Sequence, residues 1–267
     1  MEPRGLMGGF YRISEWIMRF SAINLLWLIC SLPFVAVSLL LLAPVDLPED
    51  QVVNNMKAIF MLMAVIAPFT LFPATAAMFT VARKWVMGES DVALFKTFFR
   101  GYKENYKQSM LGGIIYVLLI AVMIVDFIFF REKISLLSYV FIAFLVLLVI
   151  SLFNFFSMLS HYHMKTLQLV KNAVLITIGK PLRSLSTAVM CGFVMYISFF
   201  HFQFLIPFFM GSIVAYLAFW NFNIIYVKLQ EQAERMKKQE EEEAELAAEM
   251  DREDLVKDDY KEQETNK

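Results

Sequence analysis

Six apolar runs dominate this chain: residues 23–43, 56–82, 110–130, 134–158, 185–200 and 204–227. Most reach the roughly 20 residues that a helix needs to cross a hydrocarbon core of about 30 Å. Inside lipid, backbone N–H and C=O groups must find partners within the protein, so such runs predict helices. The expected fold class is all-α: a polytopic membrane helix bundle with about six transmembrane helices. Lysine and arginine then sort by side. Arg4, Arg12, Arg19, six cations from Arg83 to Lys107, four from Lys165 to Arg183 and eight in the tail make 21 on one side. Only Lys57, Arg131 and Lys133 fall on the other. Basic residues are retained on the cytoplasmic face, so both termini are expected there.

The net charge of -1 conceals two opposed parts. Residues 228–267 hold 15 acidic and 8 basic side chains, while the rest of the chain holds 10 acidic and 16 basic. Three segments follow: an interfacial N-terminal segment 1–22, a six-span membrane domain 23–227 and an acidic cytoplasmic tail 228–267. The basic body suits an anionic inner leaflet, so the lipid bilayer is the first partner. Helix formers dominate the tail as far as about Met250 without a sustained apolar seam, which argues against a long coiled coil. The last fifteen residues are expected to be disordered. Cys30 and Cys191 both lie in apolar runs and read as small buried residues. No cleavable leader is evident before the first run.

Local patterns refine the map. Phe10, Ile13, Ile17 and Phe20 form one helical stripe beside Arg12 and Arg19, the pattern of a short helix lying at the membrane surface. Pro33 is expected to kink the first span, and Pro68 and Pro73 to bend or break the second. The small run Ala74-Thr75-Ala76-Ala77 would admit a close neighbour. Between Arg83 and Gln108, Phe95, Phe98, Phe99, Tyr102 and Tyr106 follow helical spacing, interleaved with Lys96, Arg100, Lys103 and Lys107. This basic aromatic helix is expected at the inner surface. Phe95, Phe98, Phe99, Arg100, Tyr102, Lys103 and Tyr106 are its candidate contacts with lipid or a cytoplasmic partner. Nucleic acid would also suit aromatics and cations, but the membrane setting argues against it. Arg131-Glu132-Lys133 reads as a tight outer hairpin, and Leu167, Val170, Val174 and Ile178 as the apolar face of a further inner segment.

Three stretches together carry a family resemblance. They are Asn24-Leu25-Leu26-Trp27-Leu28-Ile29-Cys30-Ser31-Leu32-Pro33, then Pro73-Ala74-Thr75-Ala76-Ala77-Met78 followed by Arg83-Lys84-Trp85, and Phe98-Phe99-Arg100-Gly101-Tyr102-Lys103-Glu104-Asn105-Tyr106-Lys107-Gln108. With Leu169-Val170-Lys171-Asn172-Ala173 further on, the chain resembles the YesL-like family of small bacterial membrane proteins. The strong part covers roughly residues 5–110. The resemblance implies a bacterial cytoplasmic membrane. It also implies a carbohydrate-utilisation setting, because members are often encoded beside carbohydrate uptake and polysaccharide-degradation genes. The acidic outer connection and the acidic tail are not part of that pattern.

Chemistry is sparse. Asp126 is the one carboxylate within a span, where a charge costs on the order of 3 kcal/mol. It reads as an interfacial group paired with Arg131, or as a cation site. Asn24, Asn154 and Asn221 are the other candidate intramembrane polar groups, with Asn223 beside the last. Amides at such depth either join helices or line a vestibule. His161 and His163, two apart, would point to different sides of a helix and make a poor metal pair. Phosphate-binding glycine loops, a Gly-x-Ser-x-Gly elbow and an HExxH helix are all missing. The expectation is therefore no enzyme, no cofactor and no metal. Three functions stay open: an accessory or regulatory partner of a carbohydrate import system, a small-solute or sugar transporter in its own right, and a sensor or lipid-interacting structural protein using the N-terminal segment and the acidic tail. The oligomeric state is open as well.

Overall fold

The computed structural model describes residues 6–44, 48–89 and 91–265, with residues 6–8, 49, 50, 135 and 246–265 described by backbone alone. Arg4 and Asp46 lie outside that set. Nine α-helices follow one another among the described residues, with no strand: α1 Leu6–Cys30, α2 Leu32–Leu39, α3 Glu49–Ile66, α4 Leu71–Val86, α5 Leu94–Lys133, α6 Ser135–His161, α7 Thr166–Gly179, α8 Pro181–Phe200 and α9 Gly211–Thr265. Six stretches are long and apolar enough to cross a membrane: Gly9–Cys30, Gln51–Phe69, Leu94–Lys133, Leu136–His161, Pro181–Phe200 and Ile206–Glu245. The chain divides into two units, one through Phe222 and one from Asn223 onward.

The boundaries depart from the expected ones where polarity and helix continuity part company. The stripe from Phe10 to Phe20 is not a separate surface helix; it is the first half of α1, and the apolar stretch begins at Gly9 instead of residue 23. Pro33 sits in the first turn of α2, where its missing N–H costs least, and α1 ends just before it. Ser31 bridges the break, donating from Oγ to the Trp27 carbonyl at 2.6 Å while its own carbonyl receives the Val35 N–H at 3.0 Å. In the second span Pro68 lies in a 3-10 turn, Ala67–Phe69, that separates α3 from α4.

The larger departure is α5. The expected basic surface helix and the third span are one continuous rod of 40 residues. At about 1.5 Å per residue it is roughly 60 Å long, about twice the ~30 Å core. Its basic first half therefore continues the helix of the third span and is not a separate element. The hairpin expected on the outer side is tighter than expected too: α5 runs through Lys133, and Ile134 alone separates it from α6.

The centre of the first unit is α4, which buries Phe72, Ala74, Ala76, Ala77, Met78, Phe79, Val81, Ala82 and Trp85. The small residues admit close neighbours, as expected. The antiparallel pair α4/α5 approaches so closely that a β-carbon on Gly101 would lie 2.8 Å from Thr80 Cβ, and one on Gly113 would lie 3.0 Å from Pro68 Cα. A β-carbon on Gly112 would overlap the ring of Phe155 on α6. Aromatic rings fill the seams between helices: Phe72 and Phe79 both meet Phe156 on α6, and Trp16 and Phe20 of α1 meet Trp85 edge-on. Helix α4 stops at Gly88, whose φ of 89° belongs to the left-handed region that glycine reaches without strain.

Helix α7 buries Leu169, Val170, Ala173 and Thr177, while Leu167 and Ile178 of the expected stripe are exposed. Both faces of this segment are apolar: of the expected stripe Val170 is buried and Val174 half-buried, and the packed face runs through Leu169, Ala173 and Thr177 beside them. At Thr177 the side chain accepts the Asn154 amide at 2.9 Å and donates to the Ala173 carbonyl at 2.8 Å. Thr177→Val keeps the shape and strands a buried amide N–H, so a stability loss of about 1–2 kcal/mol is expected in detergent unfolding. In the second unit the backbone stays helical to Thr265, so residues 253–265 are helical where disorder was expected, and 266 and 267 lie outside the described residues. Glu, Lys, Gln and Leu, all good helix formers, take seven of those thirteen positions.

Candidate functional site

The three candidate amides are fixed between helices and do not line a vestibule. Asn24 on α1 is fully buried and donates from Nδ2 to two carbonyls, Ile206 at 2.9 Å and Pro207 at 2.7 Å. Its Oδ1 accepts the Ser212 N–H at 3.1 Å. The segment Ile206–Met210 is a π-helical turn opening into α9, and Pro207 within it has no N–H to donate. The wider turn leaves backbone groups without their ordinary partners, and one asparagine supplies three of them. Asn221 on α9 donates to the Arg183 carbonyl at 2.8 Å and to Thr187 Oγ1 at 2.6 Å on α8. Asn154 holds α7 through Thr177. Asp126 is half-buried on α5, and no ion pair joins it to Arg131. Lys133, from the same hairpin, instead places its ammonium 4.0 Å from the centre of the Phe129 ring.

The basic half of α5 divides by face. Phe98 is fully buried and roots it, whereas Phe95 and Phe99 are 62% and 50% exposed. Arg100 and Lys103 also face outward, Arg100 pairing with Glu104 at 3.2 Å. Tyr102 and Tyr106 are half-buried with ring centres 5.7 Å apart, and the Tyr106 hydroxyl donates to the Phe69 carbonyl at 3.2 Å. The seven candidate residues therefore split into an anchoring set and a presented set of Phe95, Phe99, Arg100 and Lys103.

Beside that helix the structure holds a polar recess of about 460 Å³ that the sequence reading did not single out. Three elements build it. The end of α4 contributes Thr80, Arg83 and Lys84, which share one face at i, i+3 and i+4. The first half of α5 contributes Arg100, Glu104 and Gln108 at successive i, i+4 positions, with Thr97 and Asn105 beside them. The end of α6 and the turn after it contribute Ser160, His161, Tyr162 and His163. Because α6 stops at His161, His163 does not continue the helix, and both histidines line the same recess despite their i, i+2 spacing.

Hydrogen bonds hold the walls in place. Asn105 Nδ2 donates to Thr80 Oγ1 at 3.3 Å across the α4/α5 contact that Gly101 permits. Gln108 Nε2 donates to the Met164 carbonyl at 2.7 Å and fixes the turn after α6. Arg83 Nε donates to His161 Nδ1 at 3.2 Å, which leaves the imidazole proton on Nε2. Lys84 pairs with Glu89 at 2.6 Å, and this hydrogen bond holds the Glu89 carboxyl below the usual carboxylate range. Lys84 and Arg100 thus each have a carboxylate. Among the described residues, the half-buried Arg83 makes no ion pair within 4.0 Å, although its charge also acts on Glu89, and its hydrogen-bond partner is a neutral imidazole. The lining carries three cations against Glu104, with amide and hydroxyl donors around them. Such a set is suited to holding an anion.

Comparison with known proteins places this architecture. Residues 20–127 match a family model described as "Protein of unknown function, DUF624". Those residues take in Asn24, all of α4 and the α5 wall of the recess. The chain is 27% identical over 232 residues to the protein named uncharacterized YteU of Bacillus subtilis (strain 168), covering 86% of this chain and 89% of that one. It is also 27% identical over 208 residues to uncharacterized YesL of the same organism, covering 78% and 84%. The chain is thus similar, over most of its length, to uncharacterised proteins of the YesL kind. A third relative, uncharacterized YesV, is 28% identical over 148 residues, 54% of this chain and 71% of the relative. No solved structure matches it.

Proposed function

We propose that this YesL-like chain is an accessory or regulatory membrane subunit of a bacterial carbohydrate uptake system, with both termini in the cytoplasm and no enzymatic activity of its own. The observation that carries this reading is the first half of α5. A helix rooted by the fully buried Phe98 presents Phe95, Phe99, Arg100 and Lys103 away from the bundle on a rigid support. Aromatic and arginine side chains on a fixed helix are what protein interfaces use as anchors. Sidedness rests on the distribution of lysine and arginine, and the carbohydrate setting on the family resemblance. A transporter would call for polar groups left open along a path through the bundle. Here the buried amides Asn24, Asn154 and Asn221 all donate to neighbouring helices.

The test is purification in mild detergent from cells growing on a polysaccharide, under conditions that keep the importer assembled. Importer subunits are expected to co-purify. Phe99→Ala combined with Lys103→Glu is expected to lower their recovery about tenfold, the loss of one good contact. Surface changes of this kind leave stability within about 0.5 kcal/mol. Isolation of the chain alone beside an intact importer would overturn the proposal.

A further inference from the structure

We infer that the recess between α4, α5 and α6 binds the phosphate of an anionic phospholipid, with an acyl chain of the same molecule in a groove further along the α5/α6 seam. The polar part is the 460 Å³ recess, in which Arg83 makes no ion pair among the described residues and Lys84, Arg100, Asn105 and Gln108 add donors. The apolar part is a separate groove of about 340 Å³ lined by Leu119, Met123, Phe144, Leu148, Val174 and Ile178, among others.

The two lie at either end of one α5/α6 seam, whose middle is packed by Tyr116 and Phe155 against Gly112, so the acyl chain runs over the outer flank of that contact. Gln108 in the recess and Leu119 in the groove lie eleven residues apart on α5. Leu159 and Leu148 are likewise eleven apart on α6. Eleven residues are very nearly three helical turns, so each pair shares a helix face about 16 Å apart along the axis. That separation matches the depth of one leaflet's hydrocarbon, roughly 15 Å. The recess also lies where the apolar part of α5 ends: Ser109 precedes the run from Met110 to Phe130, and every α5 residue in the recess precedes Ser109. A phosphate there sits at headgroup depth while the groove lies within the hydrocarbon. A free phosphate ester offers the same anion but has nothing to place in a groove whose lining is almost wholly carbon. The site shares only Arg100 with the presented set and otherwise uses the side of α5 turned to α6, and its outcome is separable because the accessory test changes Phe99 and Lys103 instead.

The experiment uses the full chain in mild detergent, titrated with phosphatidylglycerol, phosphatidylcholine or inorganic phosphate, with bound lipid counted by native mass spectrometry. Phosphatidylglycerol is expected to be retained at least about tenfold better than phosphatidylcholine, and Arg83→Gln to remove that preference, since one charge-assisted contact is worth about that factor. Arg100→Gln, at a side chain 68% exposed and so without consequence for folding, is expected to lower retention several-fold and keeps the test decisive if Arg83→Gln does not fold. Leu148→Trp fills the groove and leaves the recess intact; it too is expected to lower phosphatidylglycerol retention. Equal retention of the two lipids, or full retention by both arginine variants, would overturn the site. Displacement of phosphatidylglycerol by inorganic phosphate, with Leu148→Trp without effect, would overturn the lipid and assign the recess to a soluble phosphate.

Discussion

Asn24→Leu is expected to be the most damaging single change in the bundle. The two side chains are close in size, so packing is nearly conserved and the loss is polar. Two carbonyls, Ile206 and Pro207, and the Ser212 N–H lose their partner at once. Each buried unsatisfied group costs about 1–3 kcal/mol, which sums to roughly 3–9 kcal/mol for the three. Water does not reach a fully buried residue to compensate, and lipid offers no hydrogen bonds. Asn24→Asp discriminates the mechanism. It keeps an oxygen for the Ser212 N–H but sets a carboxylate against two carbonyl oxygens, so it is expected to be no better than leucine. The measurement is the midpoint of thermal unfolding in mild detergent. A Leu variant as stable as the wild type would show that the π-helical turn at Ile206–Met210 does not need the amide.

Gly112→Leu is the second large effect. A β-carbon there overlaps the ring of Phe155, which is itself fully buried and ringed by Tyr116 and Phe156, so it has nowhere to swing. Forcing extra atoms into a packed seam typically costs up to about 3 kcal/mol, and the α5/α6 contact has to separate to admit them. The matched control is Gly192→Leu on α8, whose β-carbon would meet nothing within 4 Å. That change is expected to be neutral or slightly stabilising, because leucine is the better helix former by about 0.8 kcal/mol. Equal losses from the two would contradict the close α5/α6 approach.

These two positions show what the sequence reveals and what it conceals. The glycine pair Gly112-Gly113 stands out in an otherwise bulky apolar run, yet nothing local names Phe155 or Phe72 as the rings it receives. Asn24 was visible as a polar residue at depth, but its partners lie more than 180 positions away, and Pro207 alone does not announce a π-helical turn. Six membrane-length stretches were legible because burial in lipid demands length and composition together. The break at Pro68 was legible for the same kind of reason: proline removes a donor wherever it stands.

The misread elements have one cause in common. Polarity changes at the membrane boundary suggest helix boundaries at Met110 and Ile23, although no proline stands nearby to end a helix at either place. The backbone of α5 passes from basic to apolar without interruption, because intrahelical hydrogen bonds are indifferent to which solvent lies outside. The recess was hidden for a different reason. Arg83, Gln108 and His161 were each visible, but α4, α5 and α6 must pack before they share a wall. The spacing of Arg100, Glu104 and Gln108 at every fourth residue was the available signal.

The account turns on one long helix that crosses the membrane and carries its basic end into the cytoplasm. Single cysteines placed by Lys103→Cys and by Arg131→Cys, with Cys30 and Cys191 changed to alanine, test this directly. Both side chains are exposed and lie on opposite sides of the apolar part of α5. With a membrane-impermeant maleimide, the position-131 thiol is expected to label in intact cells and the position-103 thiol only after permeabilisation. Labelling of the position-103 thiol in intact cells would contradict the account.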